Sequence, residues 1–508
     1  MSKKNKSDCF LLTISQNLER FNSDYIQTKL CDNLRHGYLL SYLKKEDFKV
    51  KRYNSFYQNF SVNELKSAIK QQKPKVVVFS VNYLGLSDNF EESLKVIKKL
   101  KKDIPDIHIS LEGTFSTLNY QSILKKHKEF VDSVVVGEAE LIIPQLIKLP
   151  LQKVSGVAFY SEKKDKIIRN KNKNLIKDLN KLPFPDRTNL NKVLEKGGVA
   201  QIRTSRGCNA GCNFCYLNDY YNECGFSSRR ERSAESVVEE LESLIEKNEC
   251  EEIWFADEDI IGSNLNSKKR IRKIASSLIK SNYSIKLVGQ ISAKNVDRKS
   301  LRLLKEAGLR RVFMGIESGS QEFLNKIGKG LDLEKTIKSL EILSEVGIFC
   351  ELGFIMFHSE STKDKIKKDI DFLEKYCVNN KESYLQIYNL NRLTPKPKKE
   401  EELGYGKNKE DLLSEDIKII YNATSLFSLK TRKICNYLRN LQLNKNKDPL
   451  TLRVTNNYNI HLINLLRELV ACEKLDNKQA FNIAERNYKE LANELKEIAT
   501  LEISNFSS

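Results

Sequence analysis

Three thiols fall within the eight residues from Cys208 to Cys215 of the stretch "RTSRGCNAGCNFCYLNDYY", which runs from Arg203 to Tyr221. A C-x3-C-x2-C loop of this kind, with Gly207 and Gly211 beside its cysteines, can fold back so that Cys208, Cys212 and Cys215 converge on one inorganic centre. Zinc in a structural site takes four protein ligands. No histidine lies between His127 and His358, so the nearest fourth donor is Cys224. A 4Fe–4S cluster can instead be held by three thiolates, with one iron left open to another ligand. The other eight cysteines (Cys9, Cys31, Cys224, Cys250, Cys350, Cys377, Cys435 and Cys472) have no metal-ligand spacing. They are expected to be small buried hydrophobes.

Chemistry at such a loop depends on the elements that present it. From 199 to 391 short β-rich runs ("VAQIRTS", "EEIWFA", "IKLVGQI", "RRVFMGIE", "FCELGFIMF", "SYLQIYNL") alternate with longer helical patterns. Two of those patterns stop at Gly308 and Gly347, as helices do at a left-handed cap. Six such units predict a full or partial barrel, whose active site lies at the carboxyl ends of its strands. The cysteine loop follows the first strand and so falls at that end. Residues 1–150 show a second alternation, with strands expected over 9–15, 49–55, 75–83, 108–113 and 130–138; this predicts a doubly wound parallel sheet. Residues 151–195 read as a hairpin and a Pro-punctuated linker ("KLPFPDRTNL"), 196–395 as the barrel, and 396–508 as a helical C-terminal domain that closes over the barrel mouth.

The cysteine loop, with Phe214 just before its last cysteine at the end of a first barrel strand, resembles the radical S-adenosylmethionine (SAM) superfamily. The resemblance implies that Cys208, Cys212 and Cys215 ligate a 4Fe–4S cluster whose open iron is chelated by the amino and carboxylate groups of SAM. Reductive cleavage of SAM then yields methionine and a 5′-deoxyadenosyl radical. It also implies that Phe214 packs on adenine, and that "FADED" after the second strand offers Asp257 and Glu258 to the methionine ammonium. Ser292 in "VGQISAK" and Glu317 in "MGIESGS" become polar contacts to the ribose or amino acid. In "GFIMFHSEST" the family's usual Gly and Pro are Phe357 and Ser359, so this segment contributes backbone only.

The N-terminal segments "GYLLSYLKKEDFKV", "VVVFSVNY", "PDIHISLEGTFST" and "VDSVVVGEAE", followed by "LPFPDR", resemble in that order the cobalamin-binding domain of cobalamin-dependent radical SAM enzymes. The two resemblances together cover about residues 1–390. They imply that Ser80, Glu112, Gly113, Gly137 and Glu138 line a cobalamin site on the carboxyl edge of the sheet. No D-x-H-x-x-G follows the first strand, so the lower axial histidine is missing, and Glu112-Gly113 stands where a Gly-Gly is usual.

The resulting expectation is an α/β protein with a Rossmann-like cobalamin-binding domain, a partial TIM-type radical SAM barrel and a helical C-terminal domain. Its reaction is expected to be C-methylation of an unactivated carbon. A radical SAM cyclase or rearrangement enzyme is the alternative within the superfamily. A methylthiotransferase is disfavoured, because only Cys9 and Cys31 precede the loop and a second cluster needs three. From another class, the loop could be a metal centre in an RNA-binding protein, a reading that draws on the net charge of +19 and demands a fourth ligand. Against it, Lys is spread over almost every segment with no Arg-rich stripe, so nucleic acid is not an expected partner. The expected partners are a small-molecule or peptide substrate and a flavodoxin- or ferredoxin-type electron donor. No membrane span and no secretory signal are legible, so the expected location is cytoplasmic.

Overall fold

The computed structural model describes residues 6–14, 30–55, 58, 60–82, 90–378, 385–392, 413–443 and 448–504. Two parallel sheets form its frame. The first has the order β2-β1-β3-β4-β5-β6-β7. Its strands are β1 (Cys9–Thr13), β2 (Val50–Asn54), β3 (Val76–Ser80), β4 (Ile109–Glu112), β5 (Ser133–Val135), β6 (Val157–Ser161) and β7 (Lys166–Arg169). Strands β1 and β3 are buried at every position, as helices on both faces require. Strand order reverses between β1 and β3, which opens the crevice of a doubly wound sheet at their carboxyl ends. The loops leaving those ends, 15–29 and 83–89, lie outside the described residues.

Strands β6 and β7 are the hairpin expected within 151–195. Strand β6 pairs antiparallel with β5, and β7 antiparallel with β6, so the first sheet runs past residue 150 to Arg169. The physical reason is the edge: β5 is only three residues long and its outer backbone groups need a partner.

A two-stranded antiparallel ribbon pairs β9 (Ser205–Arg206) with β10 (Arg230–Glu231). The second sheet has the order β15-β14-β13-β12-β11-β8, all parallel. It comprises β8 (Ala200–Ile202), β11 (Glu252–Phe255), β12 (Lys286–Gln290), β13 (Leu309–Glu317), β14 (Phe349–Phe357) and β15 (Leu385–Arg392). All six strands expected from the sequence are present. The sheet is a partial barrel, because β8 and β15 do not pair.

Both open edges are covered. At β8, Val199 N–H donates to Leu30 O (2.9 Å), and Cys31 bridges Val199 in parallel, so a segment of the N-terminal domain extends the barrel sheet. At β15, the fully buried Asn459 accepts from Ile387 N–H (3.1 Å) and donates to Leu385 O (2.9 Å). One side-chain amide thus replaces a neighbouring strand at two backbone groups. Asn459 lies on the helix Asp448–Ala471, which runs between Glu415–Leu443 and Asn477–Ser504. The sequence reading puts these helices over the barrel mouth. In the structure they pack along β15 and the helix Lys363–Leu373, where Lys363 Nζ donates to Cys472 O and Arg467 pairs with Asp371 and Glu374, and Tyr421 meets Phe357 at the carboxyl end of β14.

Candidate functional site at the barrel mouth

The chain leaves β8, makes the β9–β10 ribbon, and carries residues 207–229 out between its two strands. Arg229 cinches the base: its guanidinium donates to Ser205 Oγ (3.1 Å) and Asp259 O (2.8 Å) and pairs with Glu231. Within the excursion Gly211 has φ +71°, a conformation open to glycine and costly for other residues, and a Cβ there would meet nothing within 4 Å. The loop thus turns back on itself and keeps an open side. Cys215 caps the helix Tyr216–Cys224.

The three cysteines are free thiols on this one loop. Burial pushes the Cys215 thiol up to about 11, and Cys212 and Cys208 push it the same way, so the three lie within each other's electrostatic reach. Burial also raises Cys208. Among the described residues no three His, Cys, Asp or Glu side chains meet at metal-ligand spacing. The donor chemistry nonetheless fits an iron–sulfur centre, since three soft, mutually repelling thiols are what such a cluster takes up as thiolates. Cys224 is not a fourth donor. It is fully buried with Tyr220, Tyr221 and Phe226 at the far end of its helix, nine residues beyond Cys215, or roughly 13 Å along the axis.

Four elements bring polar groups to the loop. Asn213 N–H donates to Ile327 O (2.9 Å), tying the loop to the segment that carries Lys329. Lys329 Nζ lies 5.7 Å from the Phe214 ring centre and 2.6 Å from Glu317 Oε1. Burial alone would lower this lysine, but Glu317 with the Cys212 and Cys215 thiols raises it above its ordinary value. Glu317 stands at a register shift in β13, with φ +69°. Room for the pair comes from Gly315, where a Cβ would lie 2.3 Å from Glu317 Oε1 and 3.1 Å from Lys329 Nζ.

The acidic run after β11 divides its labour. Asp257, expected at the SAM ammonium, accepts from Thr204 N–H (3.0 Å), Thr204 Oγ1 (2.8 Å) and Ser205 Oγ. Both of its oxygens are committed, and its place is to hold the strand end before the cysteine loop. Glu258 is the open one. Its Oε1 accepts from Tyr221 OH (3.0 Å) and lies 3.6 Å from Arg203, while its buried Oε2 has no hydrogen-bond partner. Such an orphaned carboxylate oxygen fits a cation such as the ammonium of SAM. Asp259 accepts from Ile261 N–H, Gly262 N–H and Asn295 Nδ2 and fixes the loop; Ser292 meets it through its backbone N–H (3.4 Å), not through its hydroxyl.

At the N-terminal edge the residues expected to contact cobalamin are largely buried. Glu112 is 1 % exposed; Arg35 donates to its Oε2 (2.9 Å), and its Oε1 is 3.4 Å from His36 Nε2. Burial pushes this carboxyl up, yet Arg35, His36 and Ser80 hold it at about 2. Ser80 is fully buried, and a Cβ at Gly113 would lie 2.2 Å from Val81 O. Glu138 is buried between Arg206 and Arg230, and Gly137 abuts Cys224. These five residues sit within the sheet edge, where the side chains of Glu112 and Glu138 are held by arginines and also line the gap toward the barrel. A narrow cleft of about 30 Å³ lies between that edge and the barrel, lined by Arg35, Glu112, Arg203, Tyr220 and Tyr221 among others.

Residues 202–373 match the sequence profile of the Radical SAM superfamily. The chain carries a radical SAM domain. Two curated relatives extend the likeness beyond that domain. One is a 4′-phospho-dehydrooxetanocin synthase of Priestia megaterium, 26 % identical over 68 % of this chain and 48 % of the relative. The other is an uncharacterized methyltransferase of Pyrococcus horikoshii, 26 % identical over 67 % of this chain and 73 % of the relative. The match to the synthase therefore spans about half of that protein. Among solved structures, the cobalamin-dependent SAM radical enzyme OxsB, with aqua-cobalamin and SAM bound, superposes with a TM-score of 0.75. It is 19 % identical, and the superposition covers 99 % of this chain and 81 % of OxsB. The radical SAM methyltransferase TsrM from Kitasatospora setae gives a TM-score of 0.58 at 17 % identity, over 73 % of this chain and 72 % of TsrM. At these identities the superpositions establish the fold: a radical SAM barrel, a parallel α/β sheet before it and helices after it. Among the described residues no helix is long and apolar enough to cross a membrane.

Arg35, Tyr220, Tyr221 and Lys329 were not singled out from the sequence. For the two tyrosines the signal was present, in adjacent aromatics in the second turn of a helix capped by the third cysteine. Lys329 is one lysine among many and carries no such mark.

Proposed function

We propose that this chain is a cobalamin-dependent radical SAM enzyme whose reaction is methyl transfer to an unactivated carbon. One observation carries the two-cofactor reading. The helix Tyr216–Cys224 is shared between the two sheets: Tyr221 OH donates to Glu258 at the barrel mouth. Its neighbour Tyr220 takes Arg35 Nη1 (3.0 Å) and reaches Gly137 O (3.5 Å) at the N-terminal edge. The element that begins at Cys215 thus ends against the sheet whose fold is that of a cobalamin-bound enzyme. The names of the relatives, a methyltransferase among them, support the same reading.

In this proposal Cys208, Cys212 and Cys215 hold the cluster. Glu258 Oε2 takes the ammonium of SAM, the Lys329–Glu317 pair meets its carboxylate and ribose side, and Phe214 packs on its adenine. When bound, the cluster supplies the electron that cleaves SAM and cobalamin supplies a methyl carrier. Cobalamin would lie along the carboxyl edge of the N-terminal sheet, beside Ser80, Glu112, Gly113, Gly137 and Glu138. A low-potential protein electron donor follows from the need for that electron.

A cyclisation or rearrangement is the second reading. It is favoured by the OxsB superposition, which takes in the C-terminal helices, and by the synthase relative; TsrM covers 73 % of the chain. The test is to incubate the reconstituted chain with SAM and a reductant, with and without cobalamin, and quantify two products. S-adenosylhomocysteine rising with cobalamin supports methyl transfer. 5′-Deoxyadenosine formed with no S-adenosylhomocysteine contradicts it and favours the second reading.

A further inference from the structure

A buried carboxylate with no ion-pair partner among the described residues stands behind the Glu317 turn. Asp369, on the helix Lys363–Leu373, is 6 % exposed, and its Oδ1 accepts from Ser318 Oγ (2.9 Å) and Gly319 N–H (3.0 Å). The turn it grips is difficult to form. Glu317 is left-handed at the end of β13, a conformation that is costly for a residue with a Cβ. Ser318 N–H folds back to Ile316 O (2.9 Å), and Ser320 N–H donates to Ser318 Oγ (3.0 Å). Gly319 sits so close to Phe372 that a Cβ would meet it at 2.6 Å. Burial pushes the Asp369 carboxyl up to about 6, offset only by its two hydrogen bonds to the turn. Arg467, from the C-terminal helix packed on the same side, is committed to Asp371 and Glu374. Burying a charge is costly unless something requires it there. What Asp369 contacts is the turn that aims Glu317 at Lys329 beside the cysteine loop.

We infer that Asp369 is the positioning residue of this site: from the outer helix it fixes the Glu317–Ser320 turn, and so sets the Glu317–Lys329 pair against the cysteine loop. The part of this that concerns SAM rests on the assignment of Glu317 proposed above. Asp369 touches none of the groups assigned to cofactor or substrate, so it acts through Ser318 and Gly319.

Amide hydrogen exchange on the full-length chain before cluster reconstitution tests the positioning claim without any cofactor. Asp369→Ala should speed exchange across 317–320 by about 10- to 100-fold, the worth of a charge-assisted hydrogen bond. Asp369→Asn, which keeps the acceptor, should restore most of the protection. Unchanged exchange in Asp369→Ala would overturn the proposal. Should that variant not fold, Ser318→Ala removes one partner alone and should speed exchange about 3- to 10-fold; no change there would overturn it equally.

A pH series gives a readout of the charge itself. Because the folded carboxyl titrates near 6 and an unfolded one near 3.8, the wild type keeps its full stability below about 3.8 and loses part of it as pH rises through about 6. Asp369→Asn should therefore melt above the wild type at pH 8 and level with it near pH 4. A constant difference across that range would contradict the buried placement. In the reconstituted enzyme, Asp369→Ala and Glu317→Gln should each raise KM for SAM, and the double variant should do no more than either alone. If Glu317→Gln leaves that KM unchanged while Asp369→Ala still loosens the turn, the assignment of Glu317 falls and the positioning role stands.

Discussion

The two sheets present their carboxyl edges to the same helix and use charge there in opposite ways. At the barrel mouth the polar groups have room for another molecule: Glu258 Oε2 is buried without a partner, and Lys329 stands among thiols and the Phe214 ring. At the N-terminal edge both carboxylates expected to meet a cofactor face arginines, Glu112 Oε2 with Arg35 and Glu138 with Arg206 and Arg230, although Glu112 Oε1, 3.4 Å from His36 Nε2, also has no hydrogen-bond partner. The barrel edge is built to hold its ligand by side chains. The Rossmann-like edge uses its charges to fix its own shape and to join the two domains. The missing axial histidine and the Glu in place of a second Gly take on meaning in this light. Glu112 is held by Arg35 of the helix Leu34–Lys45 at the wall of the cleft between the two sheets.

The strongest way to break this contrast is at the cluster loop. Cys212→Ala should reduce 5′-deoxyadenosine formation to background, measured chromatographically after anaerobic reconstitution, while circular dichroism stays close to wild type. The loop lies at the mouth and not in the core, so retained cleavage would remove the basis of the barrel assignment.

Next in size is the N-terminal edge. Arg35→Met leaves Glu112 buried without its main cation and should cost about 3–5 kcal/mol in denaturant unfolding. Adding Glu112→Gln should recover much of that loss. Glu112 also carries a pH signature. Its folded pKa is held down at about 2 against an unfolded value near 4.5, so its contribution is present above pH 4.5 and fades as pH falls toward 2. Arg35→Met should flatten that acid limb; an unaltered acid profile would mean that the Arg35–Glu112 pair contributes nothing.

Smaller again, Glu258→Gln should raise KM for SAM by about 10- to 100-fold, the worth of a charge-assisted hydrogen bond, with little change in unfolding midpoint. This sharpens the contrast, since the barrel-edge carboxylate then affects binding and the N-terminal one affects stability. The smallest effect is expected at Asn459→Leu, which exposes two backbone groups of β15. It should cost about 1–3 kcal/mol and leave KM for SAM unchanged.

Much of this was legible in the sequence, for physical reasons. The two alternations of strand and helix are set by apolar periodicity, and every strand expected from them is present within a few residues at each end. Cys208, Cys212 and Cys215 were readable because three thiols at short spacing have few other uses in a loop. The fate of the hairpin after residue 150 was not readable: nothing local in "VAFYS" says whose edge it will cover. Nor was the division among Asp257, Glu258 and Asp259, since three adjacent acids look alike until Thr204, Tyr221 and Asn295 arrive from elsewhere in the chain to claim them. Asp369 lies 52 residues beyond Glu317, and its partners are a hydroxyl and a backbone N–H, neither of which leaves a pattern.

The measurement that tests the central claim most directly is metal content by mass spectrometry, on the chain purified anaerobically from cobalamin-supplied cells and reconstituted with iron and sulfide. A cluster at the cysteine loop and a corrinoid at the N-terminal sheet predict about four iron and about one cobalt per chain. Zinc in place of iron would contradict the radical SAM site, and iron without cobalt would contradict the pairing of two cofactors across the helix Tyr216–Cys224.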